Sequence, residues 1–152
     1  MLEYIISILG IITGYLIANY TKEELNKGML YFKVIEILCL LSIVYLSLSN
    51  FNLLLFASGV FAALILKFDY FYIGLSSLNT LDAASRFVHS SLIFVYGLAN
   101  GSINYGNKKI ILVNVALFFV PMLLYFLDFH ASSISAGALT VTVLMKGYNL
   151  IN

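Results

Sequence analysis

The feature that most constrains this chain is a series of long, continuous apolar runs separated by short polar breaks. A helix needs about 20 mostly apolar residues to cross the hydrocarbon core of a membrane. Strands of a membrane barrel would instead alternate apolar and polar residues over about 10 positions, and these runs do not alternate. We therefore predict an all-α fold, a polytopic bundle of six transmembrane helices joined by short loops, within a single domain of residues 1–152. The six predicted spans are residues 2–20, 29–48, 52–66, 81–99, 109–127 and 132–150.

The composition excludes several other classes of protein. Hydrophobic residues make up 62% of the chain and charged residues 10%, whereas a soluble domain is about 25% charged. A net charge of +1 gives no electrostatic footprint for nucleic acid, and the single Cys39 cannot close an internal disulfide. The first span carries Glu3 in place of a basic leader, so we predict no cleaved signal peptide. The expected location is a lipid bilayer, as a multi-pass protein of a prokaryotic cell membrane.

Residues 70–78 are too short to cross a membrane, because nine helical residues rise only about 14 Å. We interpret them as an interfacial continuation of the third span, with Tyr70 and Tyr72 in an aromatic belt. A re-entrant or broken half-helix is the alternative.

The basic residues give a weak indication of orientation. Six spans place Lys22, Lys27, Lys67 and Arg86 on one side, against Lys108, Lys109 and Lys146 on the other. Basic residues favour the cytoplasmic side, so this count predicts that both termini lie outside. If residues 70–78 crossed the membrane, the three remaining lysines would join the first side.

In the six-span arrangement, most ionisable residues collect at one membrane face. Asp82, Arg86 and His89 are spaced to share one face of a helix, and Lys33 and Glu36 share another. A charge within a span usually points toward protein or water. This candidate polar cluster consists of Lys33, Glu36, Asp82, Arg86, His89, Asp128 and His130.

Within this cluster we expect Glu36 to pair with Arg86 across two helices, with pairing inside each helix as the alternative. The two histidines and two aspartates lack the spacing of a metal motif, so no metal ion and no cofactor are predicted. We expect Asn114 to make an interhelical hydrogen bond.

Small residues at a spacing of four allow helix backbones to approach closely. Gly10, Gly14 and Ala18 form such a row in the first span, and Ser133 and Gly137 form another in the last. Packing within the chain is one interpretation. The other is a homo-oligomer or a membrane partner subunit bound through the Gly10/Gly14 face.

The sequence contains no motif that fixes a reaction or a substrate. We carry three hypotheses: a transporter or channel-like protein with a water-accessible cavity at Glu36 or His89; a non-catalytic membrane subunit; and an intramembrane enzyme. The enzyme is less favoured, and it would need the Asp82, Arg86, His89, Asp128 and His130 side chains to converge.

Overall fold

The computed structural model describes residues 2–48, 51–78, 82–123 and 132–151, and their regular secondary structure is entirely helical. The all-α prediction is therefore confirmed. The helices in this described part of the chain are α1 (Leu2–Ser7), α2 (Leu9–Tyr20), α3 (Lys22–Ser47), α4 (Leu53–Ile65), α5 (Asp69–Ser76), α6 (Ala83–Ile103), α7 (Lys108–Met122) and α8 (Ser132–Ile151).

Three helical segments in the described residues are long and apolar enough to cross a membrane, rather than a clear six. They are Glu3–Tyr20, which joins α1 and α2, Lys27–Ser47 within α3, and Ser132–Ile151. Helix α4 is apolar but has only 13 residues. Helix α6 has 21 residues, but a row of polar side chains lowers its mean hydropathy.

The outer surface of the bundle is apolar. Large hydrophobic side chains on several helices are half exposed or more, among them Ile5, Leu38, Leu54, Phe61 and Leu112. Soluble monomers rarely expose apolar surface on this scale, so the surface is typical of a protein in lipid.

Glycines bring α2 and α6 into backbone contact. A Cβ on Gly10 would lie 2.2 Å from the Phe94 carbonyl oxygen, and one on Gly14 would lie 2.1 Å from that of Leu98. From the first contact to the second, the residue number rises by four on both helices, so α2 and α6 run parallel. Ala18 is also fully buried. Gly10 and Gly14 therefore pack against α6 within the chain.

A second close contact joins α4 to α8. The Asn52 backbone N–H donates to Ser133 Oγ at 2.8 Å, and one turn later a Cβ on Gly137 would lie 2.1 Å from the Phe56 carbonyl oxygen. These two helices also run parallel, and Ser133 and Gly137 pack within the chain.

The loops at residues 21 and 104–107 lie at the same end of the bundle. Tyr105 Oη donates to Asn19 Oδ1 at 3.1 Å, and Lys22 Nζ lies 5.7 Å from the centre of the Tyr105 ring. The six-span arrangement separates these loops, so its assignment of Lys108 and Lys109 to the opposite side is wrong. We call this end, which carries Lys22, Lys27, Lys67, Lys108 and Lys109, the lysine end.

The predicted interfacial continuation at residues 70–78 is wrong as well. These residues form α5, a separate helix whose Tyr70 and Tyr72 side chains are each only 1% exposed. Helix α5 runs antiparallel to α6, since Tyr70 packs on Tyr96 and Ser76 contacts His89. The backbone is extended at Leu66, between α4 and α5. Because α6 ends at the lysine end and α5 runs antiparallel to it, α5 leads away from the lysine end as a short internal helix.

The connection between the predicted fourth and fifth spans, which leave residues 100–108 between them, is shorter than those bounds indicate. Helix α6 continues to Ile103, so Asn100 is a buried helical residue. The turn that follows uses Gly106 at φ 94°, a backbone conformation that suits glycine. Helix α7 ends at Met122, one residue after Pro121, and Leu123 is its C-cap. Residues 124–127 of the predicted fifth span lie outside the described residues.

Candidate functional site

Glu36 is the most deeply buried carboxylate among the described residues, and it lies in the middle of α3. Its exposed fraction is 4%. Oε1 accepts a hydrogen bond from Asn100 Nδ2 at 2.6 Å, and Oε2 accepts one from Lys146 Nζ at 2.8 Å. Both carboxylate oxygens are satisfied by partners on α6 and α8, which makes this burial tolerable.

Lys146 also contacts a second carboxylate. Its Nζ lies 3.2 Å from Asp69 Oδ2, and Tyr96 Oη donates to the same oxygen at 3.2 Å. Lys146 lies 5.3 Å from the centre of the Tyr96 ring, which adds a cation–π contact. One ammonium group therefore bridges two carboxylates. We call Glu36, Asp69, Tyr96, Asn100 and Lys146 the ion-pair cluster.

Amides extend this cluster toward the lysine end. Asn100 Oδ1 accepts from Asn104 Nδ2 at 3.1 Å and from Asn114 Nδ2 at 3.3 Å. Asn114 lies on α7, so the interhelical hydrogen bond predicted for it is confirmed. Helices α3, α5, α6, α7 and α8 all contribute side chains to this network.

Two open cavities reach the cluster from different sides. One, of about 240 Å³, exposes Glu36 and Lys146 and is lined also by Lys33, Ile37, Ile103 and Asn149. The other, of about 310 Å³, exposes Asp69 and Asn114 between the α4–α5 connection and α7. Each carboxylate thus faces its own cavity, and Lys146 joins the two.

The structure does not bring the predicted polar cluster together. Arg86 precedes Asn100 on α6 by a distance of about 21 Å along the axis, so the expected Glu36–Arg86 pair is wrong. Lys33 is exposed and shares a cavity with Glu36. Asp82 is exposed at the start of α6, where its side chain accepts from the Ser85 N–H as a helix cap. Asp128 and His130 lie outside the described residues.

His89 occupies a second polar position, about 16 Å from Asn100 along α6. It is fully buried, and its Nε2 lies 3.2 Å from Ser76 Oγ on α5. Ser76 already donates its proton to the Ile73 carbonyl at 2.7 Å, so its oxygen accepts from Nε2–H. That arrangement leaves His89 Nδ1 as an acceptor.

Of the side chains that the enzyme hypothesis needs, Asp82 and Arg86 are exposed, His89 is buried, and Asp128 and His130 lie outside the described residues. In the part of the chain that the structure describes, no three His, Cys, Asp or Glu side chains lie close enough to hold a metal ion.

Four members of the ion-pair cluster, Asp69, Tyr96, Asn100 and Lys146, were not among the candidate residues predicted from the sequence. Asp69 and Lys146 lie near predicted span ends, where charged residues are ordinary. Asn100 lies just beyond the predicted fourth span, where an Asn-Gly pair is typical of turns. One sequence signal could have linked Asn100 and Tyr96 to the other polar residues of α6. The polar residues 82, 86, 89, 96 and 100 share one helix face, and residue 93 is the one apolar residue between them on that face.

No protein-family model matches this chain, and neither a curated protein nor a solved structure is similar to it.

Proposed function

We propose that this chain is a small multi-pass membrane transport protein and that the ion-pair cluster is its substrate site. The observation that carries the proposal is a Glu36–Lys146–Asp69 bridge in which Glu36 is buried and the other two side chains are partly buried, and which two open cavities reach. Charged groups inside membrane bundles are costly, and they commonly mark ion or substrate pathways.

The layer beyond the cluster supports a carrier that is open toward one end. Tyr70 packs on the Tyr96 ring of the cluster, and Tyr70 and Phe118 are each at most 1% exposed within the same buried hydrophobic core. The cavities therefore approach from the lysine end, while packed aromatic side chains close the other direction. An alternating-access cycle would need this layer to rearrange.

We further propose seven crossings, in which α5 is the short fourth crossing and α1 with α2 forms the first. All seven lysines then lie at or near the lysine end, while Arg86 lies at the other. The positive-inside rule makes the lysine end cytoplasmic. The N-terminus would then be outside, as the sequence predicts, but the C-terminus would be inside.

Thiol labelling tests this topology. The native Cys39 is buried, so the background should be low. Single cysteines at Lys22 and Asn104 should both be protected from an impermeant maleimide in intact cells, whereas a cysteine at Glu3 should react. Labelling of Lys22 and Asn104 from opposite sides would contradict seven crossings.

Electrophysiology on a solid-supported membrane tests transport. Vesicles containing the purified chain would receive concentration jumps of sodium, potassium, ammonium and amino-acid solutions. At least one jump should give a current that Glu36→Gln abolishes and that the exposed control Glu24→Gln retains. Currents no larger than those of protein-free vesicles for every solution would contradict the proposal and favour the subunit hypothesis.

A further inference from the structure

The buried polar atoms that lack a hydrogen-bond partner among the described residues all lie beside one contact surface. They are Tyr70 Oη, His89 Nδ1 and Tyr4 Oη. Tyr70 belongs to α5 and His89 to α6, and the Tyr4 ring packs edge-on against His89 with centroids 5.6 Å apart. An unsatisfied buried polar group costs about 1–3 kcal/mol. The occurrence of three such atoms along one contact surface therefore calls for an explanation.

The side chains between α5 and α6 form successive layers. We call this contact region the α5–α6 seam. The upper layer holds Tyr70 and Tyr96, whose ring centres are 5.4 Å apart, and Tyr96 is bonded to Asp69. The lower layer holds His89 and Ser76. Polar groups therefore lead inward from the ion-pair cluster toward the opposite end.

One apolar layer interrupts the seam. The register set by the Tyr70–Tyr96 and Ser76–His89 contacts places Ile73 opposite Ile93, midway between the two polar layers. Both isoleucines are fully buried. A hydrophobic constriction of this kind stops conduction by excluding water.

The seam reaches the opposite end through Tyr4. This side chain is 2% exposed and lies on α1. Glu3 and Arg86 are close enough to Tyr4 to interact with it electrostatically, and both are exposed. Titratable groups thus stand at both ends of the seam.

We propose that the α5–α6 seam is a proton path, with the Ile73–Ile93 layer as its gate, and this inference rests on the proposed transport function. A proton that enters at the Glu3 end is accepted by the Tyr4 hydroxyl, which gives its own proton to His89 Nδ1, and His89 then releases the proton on Nε2. Once water crosses the isoleucine layer, it carries that proton to the Tyr70 hydroxyl, which gives its own to a carboxylate of the ion-pair cluster. One proton moves from the Glu3 end to the cluster, both tyrosines stay neutral, and His89 stays neutral with its proton moved from Nε2 to Nδ1.

The test is a proton-flux assay on the full chain in phosphatidylcholine–phosphatidylglycerol vesicles. Pyranine inside the vesicles reports pH, and valinomycin with a potassium gradient drives proton movement. Ile93→Ser should raise the flux at least about tenfold, which corresponds to about 1.4 kcal/mol off the barrier. Val95→Ser, on the exposed side of the same helix, should leave it unchanged.

Tyr4→Phe and Tyr70→Phe give the sharper test, because each removes a hydroxyl that has no bonding partner in the described structure. Thermal stability should stay equal or rise, while proton flux should fall at least about tenfold. The exposed Tyr45→Phe is the matched control. These two variants decide the question even if Ile93→Ser fails to fold.

Flux that is unchanged in both phenylalanine variants would overturn the proton path. Solute currents without any proton flux would overturn it while leaving the proposed transport function intact. Proton flux that depends on the seam, without solute currents, would support the path and contradict solute carriage.

Discussion

Replacing Lys146 with methionine should destabilise the chain more than any other single lysine change. Methionine keeps most of the side-chain length but removes the ammonium that bonds to Glu36 Oε2 at 2.8 Å and to Asp69 Oδ2 at 3.2 Å. Glu36 would keep only its bond from Asn100. Two carboxylates that share one cation would then repel each other without it.

The size of the effect follows from the burial of the three side chains. Removing one partner of a buried ion pair costs about 3 to 5 kcal/mol. The exposed fractions of the Lys146 and Asp69 side chains are 23% and 27%, against 5% for Glu36, so solvent relieves part of the cost. We expect about 3 kcal/mol, which lowers the unfolding temperature by about 6–12 °C in a chain of this size.

Thermal unfolding in detergent, followed by size-exclusion of the remaining folded fraction, measures this change. The exposed Lys108→Met is the matched control and should shift the midpoint little. Adding Glu36→Gln to Lys146→Met should recover part of the loss, with a coupling energy of about 1 to 3 kcal/mol. Equal midpoints for Lys146→Met and Lys108→Met, or no recovery in the double variant, would refute the reasoning.

Three further predictions use the same thermal assay or hydrogen exchange. Gly14→Ala should cost about 1–3 kcal/mol, because the new Cβ would lie 2.1 Å from a backbone oxygen of α6, whereas Gly147→Ala, with nothing within 4 Å, should not destabilise. Asn52→Ala should cost about 1 kcal/mol, because its side chain accepts from two N–H groups at the start of α4; a midpoint equal to wild type would contradict this. Hydrogen bonds from the Ser85 side chain and backbone lower the pKa of Asp82 below its ordinary value of 3.8, so its cap is stabilising above that pH and is lost as pH falls through the lowered value. The protection factor of the Ser85 amide, which compares its exchange with the intrinsic rate at the same pH, should therefore fall in acid in the wild type but not in Asp82→Asn, and identical acid responses would exclude this cap.

Features that depend on local pattern could be predicted from the amino-acid sequence. Continuous apolar runs indicated helices, since period and length determine that assignment. The Gly10/Gly14 row marked a close helix contact, and Asn114 marked an interhelical hydrogen bond. Each of these follows from residues within one or two turns of a single helix.

The contacts of Glu36 could not be predicted in this way, because they depend on which helices are neighbours. Lys146 lies 110 positions from Glu36 along the chain, and no spacing rule joins residues so far apart. The Glu36–Arg86 pair failed because the six-span arrangement placed the start of α6 beside the start of α3. The contacts instead place the end of α6, at Asn100, beside Glu36.

The six-span arrangement depended on the minimum length of a membrane-spanning helix, which residues 70–78 do not reach. The requirement for about 20 apolar residues holds for a helix that meets lipid along its whole length. Helix α5 packs against α6, α7 and α8, and six of its eight residues are buried. Non-spanning backbone is tolerated at membrane depth where protein surrounds it, so an internal helix of eight residues can reverse the chain direction. Under the seven crossings that we propose, in which α5 is one, all seven lysines lie at or near the lysine end, which is the distribution that the positive-inside rule favours.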